Sequence, residues 1–222
     1  MKTLLINAHP NFDNPESYSN TLEQKFMNDY NEKFEAEDLT VLNLYDMEIP
    51  RIEKGQLLSV WTKEADHIGL TSTEQHIADQ SAELLKQLKD NQRVVISLPT
   101  HNFNVPSKLK DWIDNILIAR ETFKYLSQPL ASGQSSRGLM TNDYRLMILI
   151  ASGSIYTRND FYSRMDFAVQ YLKAIFADVM AFDQVNVVRA EGTSIMPVSR
   201  ENILNAAFAE LDTQFNEFYE KQ

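Results

Sequence analysis

Three short runs are almost wholly apolar: residues 2–7 (KTLLIN), 93–98 (RVVISL) and 145–150 (RLMILI). Each is too short for a core helix and lacks the polar alternation of a half-exposed strand. Such runs read as parallel strands buried on both faces, which requires helices above and below the sheet. The intervening segments supply those helices. Leu22, Phe26 and Tyr30 recur at helical spacing through about residue 33. Residues 72–89 carry Ile77, Ser81, Leu84, Leu85 and Leu88 on one face, with Ser72-Thr73-Glu74-Gln75 reading as a capping-box start. Pro106 suits the first position of a helix bearing Leu109, Trp112, Ile113, Ile116 and Leu117. Residues 160–179 and 199–219 read as two more helices, the last amphipathic on Leu204, Phe208, Leu211, Phe215 and Phe218. Weaker strand signals lie at 39–44 and 184–188.

Five β–α units in this order imply an α/β fold with a doubly wound, five-stranded parallel sheet. The expected strand order is the flavodoxin-like 2-1-3-4-5. The 222 residues suit a single domain spanning 1–222, with irregular excursions near 45–71, including a short helix, and near 121–143. A net charge of −10 argues against duplex nucleic acid or an anionic membrane as partner. The absence of cysteine excludes thiolate catalysis, disulfides and zinc–thiolate sites. No apolar stretch is long enough to cross a membrane, and the N-terminus lacks signal-peptide features, so a cytoplasmic location is expected.

Ligands of such sheets bind beyond the carboxyl ends of the strands. In this chain those ends carry residues 9–20, 99–104 and 151–156. The first leads through Ser17, Tyr18 and Ser19 into a helix, where hydroxyls and free amides make an anion site; plain capping by Ser17 explains the same residues. No GxGxxG or GxxxxGK[ST] motif is present, which disfavours dinucleotide and P-loop sites. His9 stands alone, without partners at metal-ligand spacing, and no metal site is expected. The second loop offers Thr100, His101, Asn102 and Phe103 between two prolines. The third, Ala151-Ser152-Gly153-Ser154, places a glycine where a flat ligand could approach the backbone.

The stretch from Pro99 to Asp114 (PTHNFNVPSKLKDWID), followed by Thr122-Phe123-Lys124-Tyr125, resembles the FMN-dependent NADH azoreductases, some of which are labelled acyl carrier protein phosphodiesterases. These belong among the flavodoxin-like NAD(P)H:quinone reductases, and the resemblance spans essentially the whole chain. It implies FMN as cofactor and NADH or NADPH as electron donor. Two electrons would pass by a ping-pong mechanism to quinones or azo compounds, at a homodimer interface. It places FMN contacts on His9, on Ser17, Tyr18 and Ser19 for the phosphate, and on Thr100, His101, Asn102, Phe103, Ala151, Ser152, Gly153 and Ser154. Phe103, Phe123 and Tyr125 are expected to wall the pocket, and Tyr156 or His101 to donate a proton to the acceptor.

The chain departs from the family pattern at several places. His9-Pro10 replaces a usual serine, His101 a tyrosine, Ala151-Ser152-Gly153-Ser154 the common S-R-G-G, and Tyr156 a histidine, and the stretch after Tyr125 is longer. Two other classes remain: a quinone-reductase-like regulatory subunit of a transport system, and a flavodoxin-type electron carrier.

Overall fold

The computed structural model describes residues 1–220. Five parallel strands form the sheet: β1 Thr3–Asn7, β2 Leu39–Asn43, β3 Arg93–Pro99, β6 Arg145–Ser152 and β7 Gln184–Glu191. Their order is β2-β1-β3-β6-β7. Counted among sheet strands alone, this is the expected 2-1-3-4-5. The strands β4 Phe123–Tyr125 and β5 Ser136–Gly138 form a separate antiparallel hairpin.

Alternation along the central strands divides the interior in two. Leu4, Ile6, Val94, Ile96, Leu98, Leu146, Ile148 and Ile150 face one core, closed by α3 (Ser72–Asp90), α4 (Ser107–Ile116) and α5 (Phe167–Lys173). Leu5, Val95, Met147 and Leu149 face the other, closed by α1 (Tyr18–Lys33) and α6 (Arg200–Tyr219). No residue of β1 or β6 is exposed, which is why those runs contain no polar alternation.

Several local expectations shift. The helix expected from residue 160 begins only at Phe167, after a 3-10 turn at Ser163–Met165, and ends in a π-helical segment at Ala174–Val179. Local hydrogen bonds from the Tyr162 and Ser163 backbone to Asp160 hold the preceding residues in turns. The capping box of α3 sits one residue earlier than expected: Thr71 accepts from the Glu74 backbone, and Glu74 accepts from the Thr71 N–H. Pro106 is the cap of α4 rather than its first residue. The strands β6 and β7 run longer than their apolar cores, so Ala151 and Ser152 belong to β6. The 45–71 excursion contains α2 (Leu57–Ala65), and the 121–143 stretch contains the β4–β5 hairpin, whose three-residue strands give no readable period.

At the amino edge, two buried guanidiniums hold the sheet to α6. Arg93 donates to Phe218 O, and Arg145 donates to Glu217 O and Phe218 O, the unsatisfied carbonyls of the helix end. Both pair with Asp143, at 2.7 and 2.6 Å. Burial tends to raise the Asp143 pKa, but the two arginines win and hold it below the usual carboxylate range. Asp143→Ala leaves two buried cations without a counter-charge. It should cost about 2–3 kcal/mol, read as a lower urea midpoint at unchanged slope; an unshifted midpoint would show that water serves the guanidiniums as well as Asp143 does.

Candidate functional site

The register fixes the height of the three loops. Asn7 lies opposite Ser97, and Pro99 opposite Ala151, so β1, β3 and β6 end on one side of the sheet. The loops are also tied together. The Ala8 N–H donates to Ser97 O, and the Thr100 N–H donates to Ala151 O, each at 2.8 Å.

The first loop is wound around a buried residue that sequence reading passed over. The Asn20 side-chain amide donates to the carbonyls of Asn11, Phe12 and Asn14 and accepts from Asn7 Nδ2. Ser17 caps α1, its hydroxyl accepting from the Asn20 N–H. The Tyr18 and Ser19 N–H groups have no intrahelical acceptor, by the geometry of any helix start. Ser19 is buried, and its Oγ has no partner within the chain. Capping by Ser17 thus leaves the next two amides and the Ser19 hydroxyl without partners in the same turn. His9 is a turn-former: its Nδ1 accepts the Asn11 N–H at 2.9 Å, leaving Nε2 as the donor. Burial holds its pKa below the ordinary histidine range, and the charge of nearby His101 acts in the same direction.

The second loop is a two-residue hairpin turn. His101 and Asn104 exchange both backbone hydrogen bonds, at 3.0 and 2.9 Å. Asn102 and Phe103 occupy the left-handed region, at φ 47° and 66°. Asn tolerates that region, whereas an aromatic residue is held there at a cost of about 1–3 kcal/mol. Strain of this kind, at a strand tip, projects Asn102 and Phe103 outward, and both are exposed. Thr100 Oγ1 is buried beside them without a partner.

The third loop is clipped to residues 192–194. Thr193 donates to Ser152 O, Ser194 to Gly153 O and Gly192 to Ser154 O through their backbone N–H groups. A Cβ on Gly153 would lie 2.8 Å from Ser194 Oγ and 3.3 Å from its Cβ, so any larger residue would have to turn the Ser194 side chain aside. Tyr156 is buried. Burial raises its phenol pKa, reinforced by Asp166 and Glu191 and opposed by Arg189. That environment keeps its proton on and makes it a poor acid.

Phe123 and Tyr125 do not join these loops within one chain. Helix α4 starts beyond β3 and runs back, so the segment after it lies at the amino edge, where Lys89 pairs with Glu121. The hairpin is anchored there too, by the Met140 N–H to Met180 O. Phe123 and Tyr125 line an open groove of about 940 Å³ with Trp61, Leu117 and Arg120. Among the described residues, no group of three or more His, Asp or Glu is placed to share a metal ion, and no helix is long and apolar enough to cross a membrane.

A family profile described as flavodoxin-like fold matches residues 1–215. A protein of Lactiplantibacillus plantarum named FMN-dependent NADH:quinone oxidoreductase 1 is 46% identical over 219 residues, 99% of each chain. The chain belongs to the FMN-dependent NADH:quinone oxidoreductase family. A Streptococcus agalactiae member is 46% identical over 222 residues, the whole of both chains. Among solved structures, an FMN-dependent NADH-azoreductase from Bacillus anthracis in complex with FMN superposes with a TM-score of 0.89, at 38% identity and 99% coverage of each chain.

Beneath the first loop of this quinone oxidoreductase homologue sits a carboxyl that no motif marks. Glu23 is buried on α1, its Oε2 has no partner, and burial pushes its pKa up to about 7, with Asn7 and Ser97 pulling the other way. The folded protein thus holds this proton more tightly than the unfolded chain, whose value is near 4.5. The sign follows: stability is full below about pH 4.5, falls as pH rises through about 7, and is level above. Glu23→Gln should therefore match wild type near pH 4 and exceed it by about 3 kcal/mol at pH 8, measured by urea unfolding at both values. An equal effect at both would mean that Glu23 is already charged in the fold.

Proposed function

We propose that this chain is an FMN-dependent NADH:quinone oxidoreductase that also accepts azo compounds. The observation that carries this reading is the strained Asn102–Phe103 turn, held at the strand tips beside the amide-rich start of α1. An aromatic in the left-handed region is costly, and here the cost is borne at a strand tip, where ligands of such sheets bind. The family match over the whole chain supports FMN as the occupant.

The residues present fit such a cofactor. The Tyr18 and Ser19 amides, with the Ser17 and Ser19 hydroxyls, suit its phosphate. Thr100 Oγ1 and Ser19 Oγ retain hydrogen-bonding capacity that the chain does not use. Thr100, His101, Asn102 and Phe103 would hold the ring from one side, and the turn from Ala151 to Ser154 from the other. Bound FMN supplies two-electron chemistry between NADH and the acceptor. The chain's own part is to orient, to exclude water and to present N–H donors toward developing negative charge. Proton donation falls to His101, which is exposed at the tip, in preference to the buried Tyr156.

A homodimer is part of the proposal. Phe103, Phe161, Tyr162, Phe167, Ile195 and Met196 are large, exposed apolar side chains in and after the second and third loops. A second copy laid on that side would cover them, and its hairpin would bring Tyr125, 73% exposed, to a neighbour's loops. The cytoplasm, where NADH is made, is the expected location.

Purified protein should be yellow, oxidise NADH steadily with menadione and give ping-pong initial-rate patterns. A regulatory subunit would show no sustained turnover, and an electron carrier would accumulate a one-electron reduced form on titration. Ser17→Ala combined with Ser19→Ala should weaken FMN retention at least tenfold; unchanged affinity would place the phosphate elsewhere. Asn102→Gly, which keeps the left-handed backbone without strain, should lower kcat/KM at least tenfold with the urea midpoint near wild type, and Asn102→Leu should show the same kinetic loss at a stability cost of about 1–2 kcal/mol; wild-type kinetics would remove Asn102 from the site.

A further inference from the structure

The first loop has no cation of its own. Between His9 and Thr21 it carries Asp13 and Glu16, and His9 is held below its ordinary range by burial. A phosphate dianion at the start of α1 would meet those carboxylates with only amides and hydroxyls to offset them. A cation reaches the loop from the far end of the chain. Arg200, the first residue of α6, donates from Nη1 to Glu16 O at 2.7 Å and from Nη2 to Thr21 Oγ1 at 2.9 Å. Its guanidinium also lies over the Tyr18 ring, 4.6 Å from the centroid. Among the described residues, it is the cationic side chain whose hydrogen bonds reach this loop. Its approach to the Glu16 carboxylate is a loose 4.0 Å, and that carboxylate is 81% exposed, so little of the positive charge is neutralised.

We propose that Arg200 is the positioning residue of the phosphate site: it fixes the loop from Glu16 to Thr21 and supplies the positive charge that lets an acidic chain select a phosphorylated flavin over the free one. This rests on the FMN reading above and deepens it. The two hydrogen bonds grip both sides of the cap residue Ser17, and the guanidinium packs over the ring of Tyr18, the first helical residue. Loss of Arg200 therefore acts on the phosphate end alone. The ring-facing turns at 100–103 and 151–154 take no hydrogen bond from Arg200.

The test is flavin-fluorescence titration of apoprotein with FMN and with riboflavin, which lacks the phosphate. Wild type should bind FMN much more tightly than riboflavin. Arg200→Gln should weaken FMN ten- to hundredfold and riboflavin less than twofold, and should flatten the salt dependence of FMN binding. Arg200→Lys should recover part of the FMN affinity through charge alone. Unchanged FMN affinity in Arg200→Gln, or parallel weakening of both ligands, would overturn the assignment. Equal wild-type affinities for FMN and riboflavin would instead overturn the phosphate site itself, and the assignment with it.

Discussion

The double-sided burial of β1, β3 and β6 is the constraint from which the rest follows. Strands with no exposed residue cannot slip, because a one-residue shift would exchange the two cores. A fixed register sets the three carboxyl ends side by side, with Asn7 against Ser97 and Pro99 against Ala151. The backbone bonds from Ala8 to Ser97 and from Thr100 to Ala151 then extend that register into the loops. The candidate site is a continuation of sheet geometry, and its precision is inherited from packing some distance below it.

The two edges of the sheet carry different polar groups. At the amino edge, Arg93 and Arg145 serve Asp143 and the last carbonyls of α6 together, with Arg145 Nη2 left unpartnered. At the carboxyl edge, Ser19 Oγ, Thr100 Oγ1 and Glu23 Oε2 are buried without partners, and Phe103 is held at positive φ. Each of these lowers stability by an amount comparable to a lost hydrogen bond or a strained residue. Other buried groups go unpartnered as well, Gln87 Oε1, Trp112 Nε1, Asn115 Oδ1 and Arg145 Nη2 among them, but Ser19 Oγ and Thr100 Oγ1 lie at the strand tips, where a ligand of such a sheet would meet them.

The parts of the sequence that could be read were those with a strong period or a long pattern. The three apolar runs gave the central strands, and helical spacing gave the faces of α1, α3, α4 and α6. The stretch from Pro99 to Asp114 marked the second loop. What could not be read depended on partners far along the chain. Nothing near Gly153 foretells that Ser194 lies over it, nor near Ser17 that Arg200 returns to hold its loop. Asn20 looks like any helix residue until its amide is seen to gather three loop carbonyls. Phe123 and Tyr125 were expected at the tips because the family pattern links them in sequence to the second loop. One helix length, the run of α4 back along the sheet, carries them to the other edge.

That separation has a consequence for how a site of this kind is completed. The strand tips of one chain present a strained turn, free amides and two unspent hydroxyls, but their exposed aromatics lie open to solvent. The hairpin presents rings and the cations Arg120 and Lys124 with no tip of its own chain to serve. In the proposed dimer the two features would be complementary in kind, the tips bringing oriented amides and hydroxyls and the hairpin bringing rings flanked by two cations. Two copies related by a twofold axis would satisfy both at once, each hairpin meeting the other chain's loops, because an isologous contact uses the same pair of surfaces twice. In the proposed dimer the cost of leaving large apolar side chains exposed on each edge would be removed by assembly, and the step that buries them would close the site against water.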